Sequence, residues 1–141
     1  MTAGSSGRPA PETKQVLRPA AEERWADELA ALAAADAQRG AEIPRGWRLS
    51  PHSVRAFIVG DEDLGVTRKF YGDDPLVDRA IVTLLGRQGL MLVGEPGTAK
   101  SMLSELLAAA VCGASTLTIQ GSAGTTEDHV RYSWNYALLI A

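Results

Sequence analysis

Between Leu90 and Cys112 the chain changes character twice, and the piece in the middle constrains the fold more than anything else in its 141 residues. Leu90-Met91-Leu92-Val93 is a short apolar run suited to a buried parallel strand, and Met102 to Cys112 has the spacing of a helix. Between them lies Gly94-Glu95-Pro96-Gly97-Thr98-Ala99-Lys100-Ser101. Strand, glycine-rich turn and helix in that order is the context of a phosphate-binding loop. Gly94 and Gly97 let the backbone curl round an anion with no Cβ in the way. Successive N–H groups then converge, and the free N–H groups at the start of the helix add its positive end. Lys100 is expected to reach the β- and γ-phosphates as a point charge, and Ser101 to offer its hydroxyl to Mg²⁺. Thr98 contributes chiefly its main-chain N–H, and Glu95-Pro96 shape the front of the loop, with Glu95 facing solvent. Ala99 stands where glycine is usual. Positive φ would strain an alanine there, whereas helical dihedrals would suit it, and helical dihedrals are expected.

Composition narrows the remaining possibilities. The length fits one ordinary domain, or a short arm with part of a larger one. A net charge of −3 gives no reason to expect nucleic acid. Cys112 is the single cysteine, which excludes an internal disulfide, and its place among Leu106, Leu107, Ala110 and Val111 reads as a small buried hydrophobe. His52 and His129 lie far apart without ligand spacing. With no apolar leader and no long apolar run, a cytoplasmic location is the default.

Along the chain, Met1 to Pro19 is rich in Gly, Ser, Pro and Ala and is expected to be disordered. Ala20 to Arg39 reads as one helix with Trp25, Leu29 and Leu32 on one face and Gly40 as its stop. Ser50-Pro51 opens a second helix as N-cap and first residue. Val54, Phe57 and Ile58 form its apolar stripe and Gly60 ends it. Asp61 to Gly65 is an acidic turn. Asp74-Pro75 opens a third helix, running to Gly86, in the same way. Thr116 to Gln120 alternates as a second strand, Gly121 to Gly124 is a turn, and Thr125-Thr126-Glu127-Asp128 starts a last helix carrying Tyr132, Trp134 and Tyr136. Two candidate strands cannot make a parallel sheet covered on both faces, so the chain reads as cut short.

Three segments together resemble the MoxR family of AAA+ ATPases. They are Lys69-Phe70-Tyr71-Gly72-Asp73-Asp74-Pro75 with its helix, the loop from Gly94 to Ser101, and Ile119-Gln120-Gly121-Ser122-Ala123-Gly124-Thr125-Thr126-Glu127-Asp128. The Ala-Lys-Ser ending of the loop is itself similar to that family's version. The resemblance covers Leu49 to Ala141 and implies an α/β P-loop NTPase fold with parallel strands flanked by helices. It divides the chain into a disordered arm (1–19), a helical N-terminal extension (20–65) and a partial AAA+ core (66–141).

The function implied is that of an ATP-driven, ring-forming machine, in intact form a homohexamer, that remodels or matures client proteins. Such clients often carry metal cofactors or von Willebrand A domains. ATP and Mg²⁺ are the cofactors it brings, with no nucleic acid and no membrane. Gly94, Glu95, Pro96, Gly97, Thr98, Ala99, Lys100, Ser101 and Met102 are then the nucleotide contacts, with Lys100 catalytic and Ser101 on the metal. Tyr71-Gly72-Asp73 falls at the family's adenine side.

The family's Walker B acids, sensors and arginine finger lie downstream of Ala141. Asp61 and Glu62 follow an apolar run but precede the loop, and that run reads as a helix ending at Gly60. Glu127 and Asp128 read as helix-start acids, and Ser122 to Thr126 as a possible pore loop. The Arg68-Lys69 pair reads as solvated. A module that binds nucleotide or partner without turnover is the alternative, and another P-loop enzyme such as a small-molecule kinase is a third.

Overall fold

The computed structural model describes residues 18–119, 121–124 and 126. The N-terminal arm up to residue 17 and the expected last helix, with His129, Tyr132, Trp134 and Tyr136, lie outside the described residues. So do Gln120, Thr125, Glu127 and Asp128.

Among the described residues five helices follow in chain order: α1 (Ala21–Arg24), α2 (Ala26–Arg39), α3 (Pro51–Val59), α4 (Asp74–Leu85) and α5 (Lys100–Val111). Helix α3 lies at the centre, packed against α2, α4 and α5, while α1 packs on α5. Its apolar stripe is as expected: Val54, Phe57 and Ile58 are sealed from solvent. They meet Leu32 from α2, Val77 and Ala80 from α4, and Leu103 and Leu106 from α5 in one core. Burying side chains of this size contributes about 1.5–3 kcal/mol each before conformational entropy is counted.

The ends of the helices follow local chemistry, with informative exceptions. Ser50 caps α3 by accepting the Ser53 N–H at 3.2 Å, with Pro51 in the first turn, and Gly60 terminates the helix. Gly40 closes α2 in the left-handed conformation, φ 60°, where it costs no Cβ clash. The expected single helix from Ala20 to Arg39 is broken at Trp25, φ −119°. Two docking sites pull on it. The Ala21 N–H donates to Ser115 Oγ at 3.2 Å and the Ser115 N–H donates to the Glu22 carboxylate at 3.1 Å, fixing α1 beyond the end of α5. Trp25 meanwhile turns its ring edge-on to Phe57 at 6.0 Å. Burial would raise the Glu22 carboxyl, but the Ser115 hydrogen bonds outweigh it and hold the group below its ordinary value.

Helix α4 starts one residue earlier than its sequence suggests, with Asp73 as N-cap, because the Asp74 carboxylate is taken by Arg68. At its other end the left-handed residue is Arg87, φ 58°, and not the neighbouring Gly86. Cys112 is exposed, contrary to the buried position expected for it. It lies just past the last turn of α5, where its thiol donates to the Ala108 carbonyl at 3.1 Å.

Neither expected strand forms a ladder among the described residues. Among the described residues the single β contact is the Asp61–Val66 bridge that closes the acidic turn. A strand exists only through a neighbour's hydrogen bonds, and residues 90–93 and 116–119 are not paired. Residues 90–93 nevertheless keep the strand period. Leu90 and Leu92 pack on the core, while Met91 and Val93 are 82% and 85% exposed. Leu117 and Ile119, both exposed, show no such alternation with Thr118.

The most consequential polar contact is buried. Asp36, 1% exposed, accepts hydrogen bonds from Ser50 N at 2.8 Å, Ser50 Oγ at 2.7 Å, Ser53 Oγ at 2.6 Å and Arg39 Nη2 at 3.1 Å. Burial pushes its carboxyl up, but the hydrogen bonds from Ser53, Ser50 and Arg39 prevail and lower it. Replacing Asp36 by alanine leaves those donors without an acceptor and is expected to cost about 3 kcal/mol in a urea titration. The folded pKa lies below the ordinary 3.8, so the contribution is complete above that value and is lost as pH falls through the folded pKa. The wild-type chain, but not the alanine variant, is therefore expected to lose this increment in acid.

Candidate phosphate-binding site

Residues 94–99 bridge the apolar run to α5, and all of them are exposed. The loop closes on itself. Thr98 Oγ1 donates to the Glu95 carbonyl at 2.8 Å, and Lys100 Nζ reaches back to the Gly94 carbonyl at 2.8 Å, to Thr98 Oγ1 at 2.9 Å and to the Glu95 carbonyl. Lys100 therefore holds its ammonium over the loop, on an exposed surface. Among the described residues, none accepts a hydrogen bond from the main-chain N–H of Glu95, Gly97 or Ala99. Those donors, the lysine and the start of a twelve-residue helix are the chemistry a polyphosphate requires. Gly97 has φ 82°, which glycine adopts freely.

Ala99 differs from expectation. It is in the left-handed region, φ 57° and ψ 22°, as the residue immediately before α5. A methyl-bearing residue there carries strain of about 1–2 kcal/mol. The loop must reverse before the helix can begin, and the positive φ accomplishes that reversal.

A cavity of about 490 Å³ opens beside the loop. Gly94, Thr98 and Lys100 form its polar end. Phe70, Leu76, Leu92 and Leu103 supply apolar walls, with Met91 and Val93 at the edge. The volume lies within the about 300–1,000 Å³ of small-molecule sites. Ser101, one step further round α5, faces a separate hollow with Ser104, Glu105, Ser115 and Thr118. The structure thus gathers Gly94, Thr98 and Lys100 and sets Ser101 on the adjoining side of the helix. Met102 packs partly on the core, and Glu95, Pro96 and Gly97 form the exposed tip.

Tyr71, 83% exposed, lines a neighbouring depression with Val59 and Arg68, whose guanidinium stands 5.8 Å from its ring. Its neighbour Phe70 is the aromatic that faces the cavity, a role the sequence reading missed. The signal lay in the Phe-Tyr-Gly triplet, since a Cβ at Gly72 would collide with the Phe70 ring.

Of the Arg68-Lys69 pair, Lys69 is buried and not solvated, contrary to expectation, while Arg68 stays partly exposed. Lys69 is 5% exposed, and Arg68 pairs with Asp74 and donates from Nε to the Phe70 carbonyl at 2.9 Å. Asp61 serves its own turn, accepting the Leu64 N–H at 3.2 Å. His52 is exposed on the first turn of α3, and no group of three or more metal-ligating side chains occurs among the described residues. None of the described helices is long and apolar enough to cross a membrane.

Comparison with known proteins bears on the same region. Residues 89–139 match the AAA domain of the dynein-related subfamily. Over 130 residues, 92% of this chain, the sequence is 54% identical to the uncharacterized protein YehL of Escherichia coli (strain K12). The chain spans 35% of the length of that relative. No solved structure matches. The domain match supports a AAA-type P-loop NTPase fold around the loop and its helix.

The strain at Ala99 is open to direct measurement. Ala99→Gly is expected to gain up to about 1 kcal/mol, the relieved strain less the extra unfolded-state freedom of glycine. Ala99→Val, branched at Cβ, is expected to lose more than about 1 kcal/mol. Denaturant midpoints for the two variants that coincide with wild type would show that the left-handed position carries no strain.

Proposed function

We propose that this chain forms the nucleotide-binding part of a MoxR-like AAA+ ATPase that remodels or matures partner proteins. The observation that carries the reading is the Lys100 ammonium held over a loop of unengaged N–H donors, at the polar end of a cavity sized for a nucleotide. The domain match across residues 89–139 supports it independently.

In this reading the N–H groups of Glu95, Gly97 and Ala99 surround the phosphates. Lys100 exchanges its bonds to the Gly94 and Glu95 carbonyls for phosphate oxygens. Its attraction to the γ-phosphate stabilises charge that develops as the terminal bond breaks. Ser101 is the residue that would hold Mg²⁺, which when bound neutralises negative charge on the β- and γ-phosphates. The apolar end, between Phe70 and Leu76, suits the base. Activation of water, charge stabilisation across a subunit interface, a homo-oligomeric ring and a client such as a von Willebrand A domain protein belong to the proposal for the whole protein. So does a cytoplasmic location.

Equilibrium binding of a fluorescent ATP analogue, with and without Mg²⁺, tests the nucleotide reading. Saturable binding is expected for the wild type, and Lys100→Ala is expected to weaken it by about tenfold or more, equivalent to about 1.4 kcal/mol. Ser101→Ala is expected to leave metal-free binding intact and to remove the strengthening by Mg²⁺. Equal binding by wild type and Lys100→Ala would overturn the proposal.

A further inference from the structure

Lys69 is a buried cation with a full set of partners drawn from three parts of the chain. Its ammonium pairs with Glu28 of α2 and donates to the Phe57 carbonyl at 3.0 Å and the Thr67 carbonyl at 2.9 Å. It also lies 4.3 Å from the Phe57 ring centroid and 5.5 Å from that of Trp25. Glu28 is held in turn by the Thr67 hydroxyl at 2.9 Å. Burial lowers the Lys69 pKa from its ordinary value, and Glu28 restores part of the loss. An ammonium in this position depends on its counter-charge, because removing one partner of a buried pair leaves the other uncompensated.

The next residue is Phe70, and its placement follows from the same anchor. The Lys69 and Phe70 N–H groups both donate to the Ile58 carbonyl, at 3.0 and 3.1 Å. With Lys69 fixed from above by Glu28 and from behind by the end of α3, the Phe70 ring is set into the cavity wall, 4% exposed and backed by Gly72. Lys100 and the loop donors lie at the other end of the cavity. Nothing in the Lys69 network touches them.

We propose that Glu28 and Lys69 are positioning residues which fix Phe70 as the base-contacting wall of the cavity. Helix α2 thereby sets affinity for the nucleoside part of the ligand and leaves affinity for its phosphates unchanged. The inference rests on the nucleotide reading above and adds a dependence on a residue more than sixty positions before the loop.

The test compares two probes on the full chain, a fluorescent ATP analogue and inorganic tripolyphosphate as its competitor. Glu28→Gln, nearly isosteric, and Phe70→Leu, still apolar, are expected to weaken the ATP analogue by about fivefold or more, the scale of one lost aromatic stacking contact. Tripolyphosphate affinity is expected to stay within about twofold, as for independent sites. Lys100→Ala is expected to weaken both probes. If Glu28→Gln weakens both probes equally, or neither, the positioning role is wrong even though the loop binds phosphate. Phe70→Leu with unchanged ATP affinity overturns the wall assignment whether or not Glu28→Gln folds. If Lys100→Ala binds both probes like wild type, the nucleotide reading fails first and takes this inference with it.

Discussion

One buried carboxylate fixes the relation between the first long helix and the centre of the fold. Asp36 is in the last turn of α2, where the helix dipole disfavours an acid, and it stays there because the first turn of α3 surrounds it with donors. Ser50 uses its hydroxyl in both directions. It accepts from the Ser53 N–H to cap α3 and donates to Asp36 to tie that cap to α2. Since α3 is the helix on which α2, α4 and α5 all pack, its origin and direction propagate to the rest of the core. Apolar burial supplies most of the driving force, but it is non-directional, and the carboxylate supplies the register.

A second buried charge extends this framework to the candidate site. Asp36 holds the start of α3, and Lys69 holds its end, through the Phe57 carbonyl and the backbone bonds to Ile58. Both charges are satisfied across the boundary between α2 and later parts of the chain. The apolar wall of the cavity and the N-terminal helices are therefore parts of one packed unit, whatever larger assembly the chain belongs to.

How much of this was legible in the sequence depends on whether the deciding partner was near or far. Ser50-Pro51, Gly40 and Gly60 mark helix ends through bonds within a few residues, and each does what its type suggests. The phosphate-loop pattern is equally local, so Gly94, Thr98 and Lys100 converge as their spacing implies. Distant partners produced the misreadings. Lys69 was read as solvated because Glu28 lies 41 residues away. The break at Trp25 has the same origin. Cys112 was misplaced by a small error in where α5 stops, enough to rotate it out of the core. Ala99 shows the opposite limit. A residue type with a mild preference yields to the reversal the loop requires. The expected strands needed hydrogen-bonding neighbours, and residues 90–93 retain only the alternating burial of that state.

The clasp between α1 and Ser115 joins residues 94 apart in the chain. Closing a connection of that length costs entropy before it returns any contact energy, which slows folding and favours assembly late in the process. During synthesis the first helices therefore emerge long before their partner does. Trp25 and Leu32 find cover on α3, but the side of α3 that packs on α5 must wait until Leu103 and Leu106 are available. In that interval the nascent chain presents an apolar helical face to its surroundings, the kind of surface that chaperones engage and that promotes misassembly. The rate at which residues 100–115 follow the N-terminal helices out of the ribosome thus bears on the yield of folded protein, even though it leaves the finished structure unchanged.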